Sequence, residues 1–393
     1  MDITLLNPEI QKYINSKIGV DIAKLALQKN PFPQVKWVSI LNQIAAKSKV
    51  KDKLPTYFST ENIVYPSKIS VEQTSSEKTA LYKSKIVNGE TLIDLTGGFG
   101  VDCHYFSERI NKVIHCEIDS ELSDIVKHNF RQIGIDNVKC IAGDSYEILN
   151  NYNQKFDWIY LDPSRRNNQK GKVFMLKDCL PNVPDLLSFY FSKTNNILIK
   201  TAPILDLSAG LSELTNVNCI HIVAVDNEVK EILWELNADN VGSTKIKTVN
   251  IVNDNTETFN FEFNSKVELP YFELPKNFLY EPNNAIMKSG GFDEIGIKFN
   301  ISKLHPHSHL YSSENLINFP GRIFEINKVF AYSKNEMKTN LQNTKANITT
   351  RNFPDSVEEI RKKWKIKEGG SNYCFFTTDS NNDKIVIICS KIK

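Results

Sequence analysis

The chain has 393 residues, 41% hydrophobic and 24% charged, enough to bury substantial cores, and a prior of about 150 residues per domain allows two or three domains. A formal net charge of +2 excludes any inference of a polyanionic partner from whole-chain charge, and no apolar run reaches the roughly 18 residues of a membrane helix. Seven scattered cysteines, odd in number and without a C-x-x-C pair, argue against a disulfide framework or a zinc site and favour a reducing cytoplasm.

Residues 1–60 read as helical, with apolar residues three and four apart (Ile10, Tyr13, Ile14, Ile18, Ile22, Leu25, Ala26). The first residues lack the basic start and apolar block of a signal peptide. Residues 66–76 are rich in Pro, Ser and Thr, and helical patterning resumes at 76–82. From residue 91 short buried strands alternate with helices: 91–95, 112–118, 137–142, 156–162 and 196–201. Asp119 or Ser120 is placed to N-cap a helix ending at Ile133, with Gly134 at its C-terminal stop. This alternation predicts βαβ units and a parallel, Rossmann-like α/β sheet. The runs 219–225 and 229–236 are expected to form an antiparallel hairpin closing that sheet, and 246–263 two further strands around Asn253-Asp254-Asn255. After a Pro-, Asn- and Gly-rich stretch at 270–320, the tail reads strand–helix–strand–helix–strand–strand, with Ser356 and Glu359 at capping-box spacing. Residues 321–393 hold 14 Lys/Arg against 8 Asp/Glu, a balance compatible with a polyanionic partner or with an ordinary solvated surface.

The segment Thr91-Leu92-Ile93-Asp94-Leu95-Thr96-Gly97-Gly98-Phe99-Gly100-Val101-Asp102 is a strand, a glycine-rich turn and a helix start. Glycines let backbone approach a ligand, and a helix N-terminus offers free N–H groups. A dinucleotide pyrophosphate and the methionyl part of S-adenosylmethionine (SAM) both use this geometry. Asp94 suits the α-ammonium of SAM and would repel a pyrophosphate. The dinucleotide pattern also fails, because Cys103 stands where its third glycine belongs. Glu117, at the end of the second strand with Ile118 beside it, is placed to accept the ribose hydroxyls. Asp144, followed by Ser145, is placed to accept the adenine amino group.

Tyr160-Leu161-Asp162-Pro163-Ser164-Arg165-Arg166 ends the fourth strand, where open α/β sheets bind ligands. Asp162 and the Pro163 carbonyl, next to Ser164, are expected to hold the N–H groups of an exocyclic amine during transfer to nitrogen, by positioning and electrostatics. Arg165 and Arg166 are candidates for phosphate binding or base stacking, against the plainer reading of a surface arginine pair. Thr201-Ala202-Pro203 is a candidate lining of the substrate mouth.

These two motifs resemble those of bacterial class I SAM-dependent methyltransferases that carry a C-terminal THUMP-like domain. Glu72-Gln73-Thr74-Ser75-Ser76-Glu77 is similar to that family's cofactor-covering segment, which assigns Gln73 to the cofactor, and Glu281-Pro282-Asn283-Asn284-Ala285-Ile286-Met287-Lys288-Ser289-Gly290-Gly291 is similar to its small ferredoxin-like module. The resemblance implies a class I fold, SAM as cofactor and an RNA substrate (tRNA or rRNA). It divides the chain into a helical segment (1–70), a methyltransferase domain (71–240), a linker with the ferredoxin-like module (241–320) and a THUMP-like α+β domain (321–393). Ser164 and Arg165 stand where amino-methylating enzymes carry a second proline and an aromatic residue, which speaks against adenine N6 as target. Two other functions stay open: a non-catalytic RNA-binding module that keeps SAM as a structural ligand, and methylation of a small molecule or protein.

His305-Pro306-His307-Ser308-His309 holds three of the seven histidines, yet Pro306 argues against a regular strand and no structural metal is expected. Arg361-Lys362-Lys363-Trp364-Lys365 could grip RNA or be a solvated helix face with Trp364 in the core.

Overall fold

The computed structural model describes residues 2–66, 68–165, 175–253, 255–265 and 271–393, with the side chains of residues 68–70 and 165 outside the description. Asp254 and Arg166 lie outside the described residues. The chain divides into two units, one of Met1–Ile220 with Lys230–Gly242 and one of His221–Val229 with Ser243–Lys393.

The strands in chain order are β1 (Thr91–Asp94), β2 (Lys112–Glu117), β3 (Val138–Ala142), β4 (Trp158–Leu161), β5 (Ser164–Arg165), β6 (Cys179–Leu180), β7 (Asn196–Thr201), β8 (Val217–Val225), β9 (Glu228–Asn237), β10 (Lys245–Val252), β11 (Asn255–Glu262), β12 (Phe278–Pro282), β13 (Ser302–Lys303), β14 (Tyr311–Ser313), β15 (Gly321–Ala331), β16 (Asn347–Arg351), β17 (Asn372–Thr378) and β18 (Lys384–Lys391).

Seven consecutive strands of one sheet run in the order β8–β9–β7–β4–β1–β2–β3. β1 pairs in parallel with β2 and β4, β2 with β3, and β4 with β7, whereas β9 is antiparallel to β7. This is the expected parallel sheet, and the strands of the expected hairpin follow β7 in the order. All four residues of β4 are buried, which is why its sequence is continuously apolar rather than alternating. The β8–β9 turn uses Asp226 and Asn227, both at positive φ, a conformation these residues tolerate better than most.

Helix Ser120–Ile133 starts where Asp119 accepts the Glu121 and Leu122 amides, and ends at left-handed Gly134, as read from the sequence. Its apolar face buries Ile125, Val126 and Phe130. The N-terminal region packs helices Pro8–Ser16, Ile22–Ala26 and Trp37–Val50 around a core of Ile10, Ile14, Leu25, Ile40 and Ile44, while helix Pro55–Ser59 buries Tyr57 against Phe99 and His104. A further helix, Lys68–Gln73, lies within the stretch whose Pro, Ser and Thr content suggested a loop. Asn129 ties this region to the sheet's helical layer: it accepts from Val64 N at 2.9 Å and donates to Val64 O at 2.8 Å.

In the second unit β10 and β11 form an eight-pair antiparallel hairpin. A seven-stranded sheet runs β13–β14–β12–β15–β18–β17–β16, antiparallel throughout except for parallel β16–β17. The predicted capping box is present, with Ser356 and Glu359 exchanging hydrogen bonds at the start of helix Val357–Trp364. That helix packs Ile360 and Trp364 into a core with Phe376 and Val386. No described helix is long and apolar enough to cross a membrane.

Candidate active site

A cleft of about 1000 Å³ opens at the C-terminal ends of β1, β4 and β7. Its walls include Gln73, Gly97, Gly98, Asp102, Asp162, Pro163 and Ser164, so seven of the residues singled out in the sequence meet there. Thr201, Ala202 and Pro203 line it as expected, together with Lys200 and Lys230.

The glycine turn is held from beneath. Asp94 accepts from Thr96 N at 2.8 Å and from Thr96 Oγ1 at 3.2 Å, and takes the Cys103 thiol at 3.3 Å. With 1% exposure, it does not reach the cleft wall. The carboxylate holds its own turn from beneath, Oδ1 on Thr96 and Oδ2 on Cys103. Burial pushes its pKa up from 3.8 to about 7 against the Thr96 and Cys103 hydrogen bonds that favour the charge. The raised value means that the fold prefers neutral Asp94. Its contribution to stability is therefore full below pH 3.8 and is lost as pH rises through about 7. Asp94→Asn is expected to flatten the pH dependence of urea unfolding across that window; an unchanged slope would show that Asp94 titrates normally.

The glycines divide their roles. A Cβ on Gly97 would lie 2.3 Å from His115 Nε2, so this residue is glycine because a buried histidine packs under the turn. Burial keeps His115 neutral, and its Nε2 sits 3.2 Å from Gly98 O. Above Gly98, at φ +53, a Cβ would meet nothing closer than 3.8 Å, which leaves the backbone there open to a ligand. Gly97→Ala is expected to lower stability by about 1–3 kcal/mol through overpacking, read as a fall in the denaturant midpoint.

Glu117 Oε2 accepts from Gly98 N at 2.9 Å and Oε1 from Asp119 N at 2.9 Å. Each oxygen keeps a further lone pair, so the fixed carboxylate can still accept two hydroxyls. Ile118 beside it is 78% exposed, an apolar surface suited to the face of a base. Asp144 is exposed and caps helix Ser145–Asn150 through Glu147 N at 3.0 Å, and Ser145 is half-buried at that helix start. Gly100, at φ +79, packs against Val126 and Phe130 rather than facing a ligand. The open turn, the fixed carboxylate and the bare isoleucine fit an adenosyl ligand.

Thr96 couples the two turns: its Oγ1 accepts from Asp162 N at 2.6 Å. The Asp162 carboxylate is ion-paired with Lys200, Oδ2 to Nζ 2.5 Å, the lysine 15% and the aspartate 34% exposed. Pro163 is buried and Ser164 exposed. Behind Lys200 lies a group of charges that the motifs did not reveal. Lys83, wholly buried, reaches both oxygens of buried Glu231 at 2.9 Å, Asp102 Oδ1 at 3.1 Å and Ser75 Oγ at 3.0 Å. Asp102 Oδ2 accepts from Tyr160 OH at 2.8 Å and from Ser75 Oγ at 2.9 Å. Burial opposes the charge on Lys200, but the Asp162, Glu231 and Asp102 carboxylates outweigh it and raise its pKa. Burial likewise lifts Glu231, with Lys83 and Lys200 opposing. The available signal was a lone Lys in NILIKT and the first Glu, Glu231, of VKEILWEL, charges inside buried strands that persist only when paired.

Lys53 brings a further cation near Lys200 and Lys230. It donates to Val71 O at 3.2 Å and Glu72 O at 2.7 Å, just before the cleft residue Gln73. Burial, then the Lys200 and Lys230 cations, push its pKa down to about 8.

The other candidates do not join this site. In the second unit His305 accepts at Nδ1 from His307 N at 3.1 Å, and His309 stacks on Phe292 at 3.6 Å with burial lowering its pKa to about 4. Arg361 donates to Ala346 O and Ile366 O, Lys363 lies against Tyr332, and Trp364 is 7% exposed, so that helix's basic run is partly committed to its own domain.

Residues 278–320 match a ferredoxin-like domain family, and residues 321–391 a THUMP-like domain family. A crystal structure of a candidate methyltransferase from Porphyromonas gingivalis W83 is 28% identical and superposes with a TM-score of 0.88, covering 100% of this chain and 99% of that one. An uncharacterized RNA methyltransferase of Clostridium acetobutylicum is 34% identical over 79 residues, a stretch that spans 20% of this chain and only 17% of that protein. The chain thus resembles a class I methyltransferase in its α/β fold and carries ferredoxin-like and THUMP-like domains after it.

Proposed function

We propose that this chain is a SAM-dependent methyltransferase acting on RNA. The observation that carries this reading is the single cleft in which the open Gly97-Gly98 turn meets the Asp162-Pro163-Ser164 turn beside Lys200 and Lys230. SAM, when bound, supplies an electrophilic methyl on a sulfonium. Glu117 would hold its ribose hydroxyls, Ile118 would face its adenine, Asp144 would accept the adenine amino group, and the Gly98 backbone would border its methionyl part. The acceptor enters from the side of Asp162, Ser164 and Lys200. Excluding water there strengthens every charge interaction the cleft makes.

The RNA assignment is supported by Lys200 and Lys230 on the cleft wall, cations of the kind that meet phosphates. It is also supported by the THUMP-like domain, since THUMP domains bind RNA, and by the description of the Clostridium relative. Arg165 adds to the same turn as a candidate phosphate contact. Tritiated SAM incubated with total RNA and, separately, with a metabolite extract tests the reading. Label is expected in RNA. Label confined to the low-molecular-weight pool would overturn the RNA assignment, and failure of purified protein to bind SAM or its demethylated product would overturn the methyltransferase itself.

A further inference from the structure

This inference rests on the cleft being a methyl-transfer site acting on RNA, and concerns the atom that receives the methyl. Two observations bear on it. The first is the fixed ammonium of Lys200 on the cleft wall, 2.5 Å from Asp162 Oδ2 and backed by the buried Lys83–Glu231 and Lys83–Asp102 pairs. The second concerns base stacking. Among the described residues lining the cleft the only aromatic is Phe99, which is 3% exposed and packed against Tyr57 and Tyr65. A target base brought into a pocket is held by stacking on aromatic or apolar faces; among the described residues this cleft offers only small aliphatic faces, Leu122, Ala202 and Pro203, and no exposed aromatic ring.

The sign of the developing charge separates the two acceptor classes. An amine nitrogen becomes more positive as it bonds to the methyl carbon, and a neighbouring ammonium opposes this. A hydroxyl oxygen sheds its proton and carries negative charge, which the same ammonium stabilises. We infer that the acceptor is a ribose hydroxyl of RNA, hydrogen-bonded by the Lys200 ammonium and facing the Asp162 carboxylate, in place of the exocyclic amine that the Asp-Pro turn suggested. In an internal nucleotide only the 2′-hydroxyl is free.

The step balances. The hydroxyl oxygen bonds to the methyl carbon while the carbon–sulfur bond breaks and its electron pair stays on sulfur. The hydroxyl proton passes to the Asp162 carboxylate and from there to water. Lys200 stays charged throughout and acts as the oxyanion's partner. Glu231 and Lys83 act through Lys200 and Asp102 as positioning residues.

The test uses the full-length protein, tritiated SAM and total RNA from cells lacking the gene, followed by alkaline hydrolysis. A 2′-O-methyl group blocks cleavage at its own phosphodiester, so label is expected in alkali-stable dinucleotides. Lys200→Met is expected to lower transfer about 100- to 1000-fold with the affinity for S-adenosylhomocysteine retained. Lys200→Arg, which keeps the charge should methionine loosen the site, is expected to restore part of the rate. A binding readout stands beside activity: acylating the 2′-hydroxyls of the RNA should weaken its binding to wild type loaded with S-adenosylhomocysteine, and make little difference to Lys200→Met. Label in base-methylated mononucleotides would overturn the hydroxyl acceptor and leave RNA methylation standing. Full transfer by Lys200→Met would overturn the role of Lys200. Absence of label in RNA, with S-adenosylhomocysteine still bound, would overturn the RNA reading itself.

Discussion

Lys83→Met is expected to lower the unfolding free energy by about 3–5 kcal/mol, the cost of leaving buried carboxylates without their counter-charge. Lys83 is wholly buried, and its ammonium is shared by Glu231, 2% exposed, and Asp102, 11% exposed. Methionine fits the space but leaves buried Glu231 and cleft-wall Asp102 without the ammonium they share. Burial already lifts the Glu231 pKa with Lys83 opposing it, so removing Lys83 raises it further. Lys83→Met should therefore regain part of its lost stability as pH falls and Glu231 takes up a proton in the fold. The double variant Lys83→Met with Glu231→Leu should be more stable than Lys83→Met alone, because it removes the orphaned charge together with its partner. Urea unfolding of the three proteins at two pH values measures this. A Lys83→Met loss under 1 kcal/mol would mean that the cluster is hydrated and the buried pairing is not what holds it.

Glu117→Ala should weaken binding of S-adenosylhomocysteine about 100-fold, since two hydroxyl hydrogen bonds to a carboxylate are together worth about 3 kcal/mol. The carboxylate also accepts the Gly98 and Asp119 amides at 2.9 Å, so a modest loss of stability should accompany it. Glu117→Gln separates the effects: its one remaining carbonyl oxygen should recover part of the affinity. Calorimetry with the demethylated cofactor reads this directly. Affinity unchanged in the alanine variant would remove Glu117 from the cofactor site, whatever the effect on stability.

Features written in neighbouring residues were legible. The start and stop of helix Ser120–Ile133 follow from Asp119 and Gly134, and the Ser356–Glu359 box from its spacing, because caps depend on residues within one turn. The parallel pairing of the first unit's strands followed from the alternation of apolar runs with helices. The direction of Asp94 was not legible. A carboxylate before a glycine turn reads as a ligand contact, yet the Thr96 amide and the Cys103 thiol turn it inward. The helix Lys68–Gln73 was hidden by its composition, for a tertiary reason: propensity gives way to packing against helix Trp37–Val50.

The sequence by itself determined the sheet, its glycine turn and the order of the candidate cofactor residues, because these rest on periodicity and on short-range backbone chemistry. Only the tertiary structure decided which charges share the cleft. Lys83 and Glu231 are 148 residues apart and meet in the core, and Lys200 pairs with Asp162 from a neighbouring strand. Such pairing is fixed by desolvation: a buried ammonium is tolerated only where the fold delivers carboxylates to it, and residue spacing along the chain carries no record of that meeting.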